Sequence, residues 1–277
     1  MTNPITPEEM ARQAIDGDRE ALEGLVRVLQ ADVYGLSLRM LWNREDAEDA
    51  TQEILVRIVT RLSQFDFRSR LKTWAYRVAV NFILDTKKSA IERLHLSFER
   101  FAGDLTDGLQ PAAPDDTEHS VLIQEVKVAC TTAMLQCLDR PHRLACVLGE
   151  LMGFSGPEAA EALGISPALF RKRLQHARQA ILKFTRTHCG LVSDTAACHC
   201  NRRVATAALV NPDASQPLQF ACRATSFQEA RALVRQVDEA RWASEVHRTS
   251  HPRASSVDFA HRLMDAFERS RESGSQS

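Results

Sequence analysis

The residues best suited to coordination chemistry lie in a short cysteine-bearing segment. Cys189, Cys198 and Cys200 are close together in the sequence, and Cys222 follows downstream. Thiolates one residue apart, as at Cys198 and Cys200, can both ligate a soft metal ion, whereas their spacing disfavours a disulfide between them. The pattern predicts a zinc or other soft-metal site formed by these four cysteines, with a histidine as substitute ligand.

Two alternatives to metal binding remain open for this segment, because its spacing is not that of a standard zinc finger. One is a redox-sensitive disulfide such as Cys189 with Cys198, and the other is a surface loop with unligated thiols. The remaining cysteines, Cys130, Cys137 and Cys146, lie singly among apolar residues, where a reduced thiol packs well. The odd total of seven cysteines predicts a reducing, cytoplasmic location.

A second group of residues consists of carboxylates in the opening turns of a predicted helix, between Arg44 and Glu53. Acidic side chains near a helix start interact favourably with the helix dipole, so helix stabilisation is one interpretation. However, Asp46, Asp49 and Glu53 share a face, where their repulsion is relieved by water or by a basic partner. The other interpretation is therefore a docking surface for a positively charged protein.

Aromatic and basic side chains alternate in a third segment, from Phe65 to Asn81, and Lys87 and Lys88 extend its positive side. Rings can stack on unpaired bases while the cations hold the phosphate backbone. The Asn81 amide can read a base edge. The alternative is that the rings, Trp74 in particular, belong to the hydrophobic core. Composition permits single-strand binding here without establishing it.

A helix-turn-helix pattern occupies the segment from Phe154 onwards. Ser155 with Glu158 forms a capping box, Gly164 tolerates positive φ at a helix end, and Ser166 caps the next helix. That next helix is predicted to bury a stripe formed by Phe170, Leu174, Ala177, Ile181 and Phe184. Its other face is basic and has no acidic residue, and it is formed by Arg171, Lys172, Arg173, His176, Arg178 and Lys183. Such a face can enter a major groove and neutralise phosphates, although an ordinary solvated basic helix would look similar.

Helical periodicity positions all these groups, and no stretch alternates long enough to predict a strand. Thr6 is predicted to cap a helix at residues 7–15, and Asn43 to cap a helix that runs to about residue 62. Further helices are predicted at residues 22–40, 71–89, 121–138, 142–152, 157–163 and 167–184. The predicted fold class is all-α, with two small helical domains joined by a flexible linker and followed by a helical C-terminal extension. The predicted boundaries are 1–96, 97–116 for the linker, 117–187, and 188–277 for the extension.

The C-terminal extension contains two amphipathic stretches, 227–246 and 257–269. They could pack on either of the preceding domains, or cover only a small core of the extension itself. The final residues are rich in serine and glycine, which predicts a disordered tail.

Overall composition restricts the classes of function. The formal net charge is -1, so contacts with nucleic acid must come from local basic faces. The first ten residues have no apolar run, and no apolar stretch is long enough to span a bilayer, so neither a signal peptide nor a membrane contact is expected.

The motifs, taken in order, resemble a bacterial RNA polymerase sigma factor of the sigma-70 family, in its extracytoplasmic-function group. Residues 46–53 are similar to the family's DAEDxxQE motif, 71–81 to its TWLxxIAxN segment, and 164–178 to its GISxxTVKSRLxRAR recognition helix. The resemblance spans residues 8–187. It implies that the first domain binds core polymerase and opens the minus-ten element, while the second reads the minus-thirty-five element.

The resemblance also implies a role for individual residues. Those expected to dock on the beta-prime clamp of the polymerase, with the beta subunit as a further partner, are Asp46, Glu48, Asp49, Gln52 and Glu53. Those expected to contact DNA are Phe65, Arg68, Arg70, Lys72, Trp74, Arg77, Asn81, Lys87, Lys88, Ser166, Arg171, Lys172, Arg173, His176 and Arg178. No residue is expected to be catalytic, and no cofactor is required, because the polymerase performs the chemistry.

The sequence departs from the family pattern in several places. Leu169 stands where a hydroxyl residue is usual, and His176 stands where arginine is usual, so two phosphate contacts are missing or depend on pH. Gly156-Pro157 precedes Glu158 where an unbroken helix start is more common. The cysteine-bearing extension lies beyond the usual end of small family members, although some resemble this chain in having one that tunes activity.

The sequence therefore predicts a sigma factor that recruits core polymerase to promoters and assists DNA melting, tuned by its extension or by an anti-sigma partner. One rival is a stand-alone helix-turn-helix regulator that binds duplex DNA without polymerase. A second rival, a metal-dependent enzyme, lacks support because no glutamate or histidine accompanies the cysteines at a hydrolase-like or deaminase-like spacing.

Overall fold

The computed structural model describes residues 5–87, 90–107, 109–111, 117–204, 220–222, 250–252 and 255–274. They fall into two compact units. Unit 1 contains Met1–Ser89, Pro157–Pro167 and Ala254–Ser277, and unit 2 contains Ala90–Gly156 and Ala168–Arg253. The domain boundaries predicted from the sequence differ from these two units and stay a prediction.

The structure is helical, as the all-α prediction requires. In chain order the helices are α1 (Pro7–Ile15), α2 (Arg19–Leu41), α3 (Arg44–Thr60), α4 (Leu71–Asp85), α5 (Ala90–Arg93), α6 (Phe98–Thr106), α7 (Thr117–Gln136), α8 (Arg140–Cys146), α9 (Gly156–Ala162), α10 (Pro167–His188) and α11 (Phe259–Gly274). A π-helical turn, Val147–Leu151, follows α8. The strands β1 (Phe220–Cys222) and β2 (Ser250–Pro252) form a short antiparallel pair that the sequence did not predict.

Side-chain caps define where the helices of unit 1 begin. Thr6 Oγ1 accepts a hydrogen bond from the Glu9 N–H, and Asn43 Oδ1 accepts one from the Asp46 N–H at 2.8 Å. Helix α4 has no cap of its own, but Glu8 Oε1 accepts from the Leu71 N–H at 3.0 Å. Helix α1 thus contributes the group that satisfies the start of α4.

The core of unit 1 lies between α2, α3 and α4, and its largest fully buried side chains include Leu36, Ile54 and Tyr76. Arg39 is buried with them and donates to the Gly35 carbonyl at 3.1 Å. Its burial lowers the pKa of the guanidinium to about 10, an effect that the nearby Tyr76 and Asp32 oppose. Apolar burial on one side of α3 leaves the other side of that helix available to solvent.

Unit 2 contains a buried cluster of charges. Glu92 accepts from Arg140 through both carboxylate oxygens, at 2.7 and 2.9 Å, and from Arg143 at 3.1 Å. Arg143 also donates to the carbonyls of Leu135 and Leu138. Removing one member would leave a buried charge uncompensated, so the cluster joins α5, α7 and α8 firmly.

Part of the predicted linker is helical, and this corrects the expectation of irregular structure across residues 97–116. Ser97 Oγ accepts from the Arg100 N–H at the start of α6, and Phe101 and Leu105 are buried. The Phe101 ring stacks on Phe184 of α10, with centroids 5.2 Å apart and an interplanar angle of 11°. The prolines and acidic residues of this region hid a short amphipathic helix.

Of the two stretches predicted in the extension, 227–246 lies outside the described residues, whereas 257–269 coincides with most of α11. Helix α11 belongs to unit 1, where it packs against α2 and α3. Within the part of the chain that the structure describes, no helix is long and apolar enough to cross a membrane.

Candidate polymerase and nucleic-acid interfaces

Helix α3 presents the acidic residues identified in the sequence. Ala47, Ala50 and Ile54 face the core, whereas Asp46, Asp49 and Glu53 are exposed. The Asn43 cap and the apolar stripe fix this orientation, because turning the helix would expose the stripe. The result is an exposed face of three carboxylates.

The other two residues predicted to bind polymerase, Glu48 and Gln52, are half-buried. Glu48 Oε1 accepts from Arg44 Nε at 3.1 Å. Gln52 Oε1 is buried and, among the described residues, has no hydrogen-bond partner. These two side chains therefore lie at the edge of the acidic face and not at its centre.

The aromatic residues before and within α4 pack on one another. Phe65 is only 3% exposed, and its ring lies 4.5 Å from that of Phe67 and 5.5 Å from that of Trp74, between centroids. Phe67 adopts a left-handed φ of 60° and lies beneath the Arg12 guanidinium, 4.7 Å from its ring. The Phe65 ring is enclosed by protein in this structure, in agreement with the alternative that it belongs to the core, and its contact with a base stays a prediction.

The polar residues of this segment are arranged differently from its rings. Arg68, Arg70, Lys72, Arg77, Asn81 and Lys87 are all exposed, and Trp74 is half-buried. Lys72 Nζ lies 2.6 Å from Asp32 Oδ2, so part of its charge is compensated. Lys88 lies outside the described residues. The structure thus brings together most of the predicted cations, with one ring, Trp74, partly accessible.

The helix-turn-helix residues adopt the predicted elements. Gly164 has φ +62° between α9 and α10, a conformation that a residue with a side chain seldom adopts. Gly149, in the π-helical turn of unit 2, allows close packing, since a Cβ there would lie 3.1 Å from Phe170 and Leu174. Helix α10 buries the predicted apolar stripe, which consists of Phe170, Leu174, Ala177, Ile181 and Phe184.

The basic side chains lie on the opposite face of α10. Ser166, Arg171, Lys172 and His176 are exposed, and Arg173 is half-buried. Arg178 is the exception, because its Nε donates to Glu150 Oε1 at 2.6 Å, and Glu150 is only 7% exposed.

His176 also has a histidine neighbour. Its ring lies 4.6 Å from that of His142, whose Nδ1 is 2.6 Å from Asp139 Oδ1. His176 is thus in contact with α8 of the same unit.

The cysteine segment folds back on itself immediately after α10. The Gly190 N–H donates to the Cys198 carbonyl at 2.9 Å, and a Cβ at Gly190 would meet that same oxygen at 2.9 Å. Only glycine permits this approach, which places Cys189 beside Cys198. Both are free thiols in this structure.

Four cysteines of unit 2 influence one another. The pKa of the Cys130 thiol is raised well above its ordinary value, first by burial and then by the proximity of Cys189, Cys200 and Cys198. Burial also raises the pKa of Cys189 to about 11. The sequence interpretation missed Cys130 because it lies on α7, and only tertiary packing brings it here.

The predicted metal site is not assembled in the part of the chain that the structure describes. Within those residues, no group of three or more histidine, cysteine, aspartate or glutamate side chains is arranged to hold a metal ion. The side chain of Cys222, the fourth predicted ligand, lies outside them. Metal binding by Cys189, Cys198 and Cys200 stays a prediction.

Comparisons with known proteins indicate which family this chain resembles. The model for sigma-70 region 2 matches residues 25–91, which contain the acidic helix α3 and all of α4. The ECF RNA polymerase sigma factor SigW of Bacillus subtilis is 27% identical over 180 residues, which are 62% of this chain and 92% of SigW. Residues 25–91 therefore match sigma-70 region 2, and 62% of the chain is similar to a sigma factor of the extracytoplasmic-function group.

Other sigma factors are similar to this chain to a comparable extent. SigC of Mycobacterium tuberculosis is 29% identical over 173 residues, which are 62% of this chain and 88% of SigC. A solved structure of CnrH in complex with the cytosolic domain of CnrY covers 62% of this chain and 91% of that chain, at 23% identity and a TM-score of 0.45.

Proposed function

We propose that this sigma-70 family member binds core RNA polymerase, directs it to promoters and assists DNA melting. The observation that carries the proposal is the exposed acidic face of α3, which lies within the region matched by the sigma-70 region 2 model. A cytoplasmic location follows from this role. The chain needs no catalytic residue of its own, because the polymerase forms the phosphodiester bonds.

The acidic face would dock on a basic surface of the polymerase, which we assign to the clamp of the beta-prime subunit, with the beta subunit as a further partner. Asp46, Asp49 and Glu53 are exposed one helical turn apart, where like charges repel, although Arg57 Nε already donates to Glu53 Oε1 at 3.0 Å. A basic partner would relieve that repulsion and would gain charge-assisted hydrogen bonds. Glu48 and Gln52 would contribute from the edge of the face.

Two basic surfaces would hold promoter DNA. On α10, Arg171, Lys172 and Arg173 would contact phosphates and base edges in a major groove, at the minus-thirty-five element. Around α4, Arg68, Arg77 and Asn81 would hold the separated strand of the minus-ten element, and Trp74 is the ring best placed to stack on a base. Phe65 would support Trp74 by packing against it.

Core binding and run-off transcription test the proposal against the rival regulator. The double variant Asp49→Lys/Glu53→Lys should lose retention on core polymerase and promoter-dependent transcripts, because it places positive charge opposite a basic surface. The matched control, Asp16→Lys/Glu20→Lys, makes the same change in charge at exposed positions elsewhere and should behave as the unmodified chain. Specific duplex binding without polymerase, with no retention on core, would instead identify a stand-alone helix-turn-helix regulator.

The extension is proposed to tune this activity, with Cys189, Cys198, Cys200 and Cys222 as ligands of zinc or another soft metal and an anti-sigma protein as a further regulator. The chemistry of the thiol donors supports the metal. Metal content of the reduced chain should fall when Cys198 and Cys200 are changed to serine. It should not fall in a Cys137→Ser control, and unchanged stoichiometry in the double variant would contradict the ligand assignment.

A further inference from the structure

The C-terminal helix α11 buries one face against the other helices of unit 1. Phe259, Ala260, Leu263 and Met264 are 2%, 0%, 1% and 6% exposed. The Phe259 ring lies 6.1 Å from that of Tyr34 on α2, between centroids. These four residues follow the three-and-four spacing of a helical stripe. Helix α11 is therefore part of the packed unit.

Charged groups around the stripe determine where α11 lies along α2. Arg27 Nη1 donates to Asp258 Oδ2 at 3.1 Å, and Arg19 pairs with Glu268 further along the helix. Asp258 also caps α11, since its Oδ1 accepts from the His261 N–H at 3.1 Å. Two ion pairs and a cap thus hold the helix in one register.

The residues just before α11 reach the acidic helix α3. Ser255 Oγ donates to Glu48 Oε1 at 2.6 Å, and Arg44 Nη2 donates to Ser256 Oγ at 2.9 Å. These bonds leave the Glu48 side chain only 19% exposed. The chain's own C-terminal segment therefore already occupies one of the carboxylates expected to meet polymerase.

From these contacts we propose that residues 255–269 and core RNA polymerase compete for the surface formed by α2 and α3. In the free chain this C-terminal segment covers the Glu48 edge of the acidic face, while Asp46, Asp49 and Glu53 stay exposed for a first encounter. Full docking then requires the segment to leave. The inference depends on the proposed function, because it assumes that the acidic face binds polymerase.

The full-length variant Phe259→Ala/Leu263→Ala tests the competition by weakening the apolar contact of α11. Its affinity for core polymerase should rise about tenfold, a typical coupling between two binding events. Amide hydrogen exchange of residues 259–269 should show that α11 has lost protection. The control Arg262→Ala changes an exposed residue of the same helix and should leave both measurements as in the unmodified chain.

A charge-reversal pair provides a second test that leaves the apolar core intact. Asp258→Arg places two cations together at the Arg27 contact and should raise affinity for core two- to threefold, as expected for a partly exposed ion pair. Adding Arg27→Asp restores opposite charges at this contact but not the Asp258 cap or the Arg27–Glu23 pair, so affinity should return only part of the way to its original value. A general loss of stability would not be repaired by the second change.

The outcomes separate the inference from the function on which it depends. An unprotected α11 with unchanged or weaker core binding overturns the competition while the sigma-factor role stands. Retained protection in the double variant also overturns it, because the buried stripe would then not hold the helix. Failure of every variant and of the unmodified chain to bind core removes the proposed function itself.

Discussion

The segment around α4 and the helix α10 both combine rings with cations, yet the structure arranges them differently. Before and within α4, Phe65, Phe67 and Trp74 pack against one another, and the basic residues of the segment are exposed. On α10, the rings lie on a buried stripe and the cations lie on the opposite face. A regular helix separates the two residue types by periodicity, whereas the irregular loop before α4 does not.

This difference matters for recognition of nucleic acid. A face made only of cations suits duplex DNA, whose phosphates and groove edges meet side chains without unstacking. A separated strand needs an accessible ring as well, and Trp74 is a half-buried ring on the same helix as the exposed Lys72 and Arg77. We therefore propose duplex binding by α10 and strand binding by the surface beside Trp74.

The largest effect is expected from replacing Phe65, which tests whether this ring belongs to the core or to the strand-binding surface. Phe65→Ala should lower the free energy of unfolding by about 3–5 kcal/mol, the usual cost of removing a buried ring. Denaturant unfolding of the full chain measures the loss, and Phe67→Ala should cost less because that residue is only half-buried. A Phe65→Ala chain of normal stability that fails only in binding unpaired DNA would restore the role that the sequence predicted for this ring.

The contrast between α10 and the segment before α4 also shows which features could be predicted from the sequence alone. Caps at Thr6 and Asn43 and the stripe of α10 were predicted correctly, because each depends on local spacing. The burial of Phe65 and the proximity of Cys130 to the other thiols depend on residues distant in sequence, so no local pattern reports them. Helix α6 was missed because flanking proline-rich and acidic residues obscured its two buried positions, Phe101 and Leu105.

The two units should lose stability at different alkaline pH values, because all seven cysteines belong to unit 2 and both tyrosines belong to unit 1. Burial raises the pKa of Cys189 to about 11 and that of Cys146 to about 12. The unfolded chain loses these protons first, so unit 2 should lose stability as pH rises above about 9. Each unit by which burial raises a thiol pKa corresponds to about 1.4 kcal/mol of lost unfolding free energy.

Burial also raises the pKa of Tyr76 well above its ordinary value, so unit 1 should weaken only at higher pH, above about 10. Unfolding followed separately in the two units, by hydrogen exchange between pH 8 and pH 11, checks this order. Cys189→Ala should flatten the pH dependence of unit 2 alone. Simultaneous loss in both units would contradict burial of the thiols as the cause.

Substitution should divide the basic residues of α10 into those that mainly affect DNA binding and one that mainly affects stability. Arg171→Ala and Lys172→Ala should each change stability by no more than about 0.5 kcal/mol, because both side chains are exposed. Each should weaken duplex binding and reduce the salt dependence by about one phosphate contact. Arg178→Ala should cost about 1 kcal/mol of stability, since its pair with Glu150 is half-exposed on the arginine side.

Filter or fluorescence binding to a duplex across a salt series, with thermal unfolding of the same variants, measures these effects. Gln175→Ala, at an exposed position on the same helix, is the neutral control. Equal salt slopes for all of these variants would mean that α10 does not contact phosphates. The surface around α4 would then be the only proposed DNA interface left.

The smallest expected effect concerns two cations of α4. Lys72 shares its charge with Asp32 at 2.6 Å, and its Nζ lies 5.7 Å from the centre of the Tyr76 ring. Arg77 is exposed on the same helix. We therefore expect Arg77→Ala to weaken binding of an unpaired oligonucleotide more than Lys72→Ala does.

The Lys72 substitution should instead cost a few tenths of a kcal/mol of stability, because surface ion pairs contribute about 0–1 kcal/mol. Binding of the oligonucleotide at two salt concentrations, with Asp32→Asn as a companion, distinguishes the two roles. Asp32→Asn frees the Lys72 charge and should strengthen binding slightly. If Asp32→Asn and Lys72→Ala both leave binding unchanged while Arg77→Ala weakens it, only the Arg77 side of α4 holds the strand.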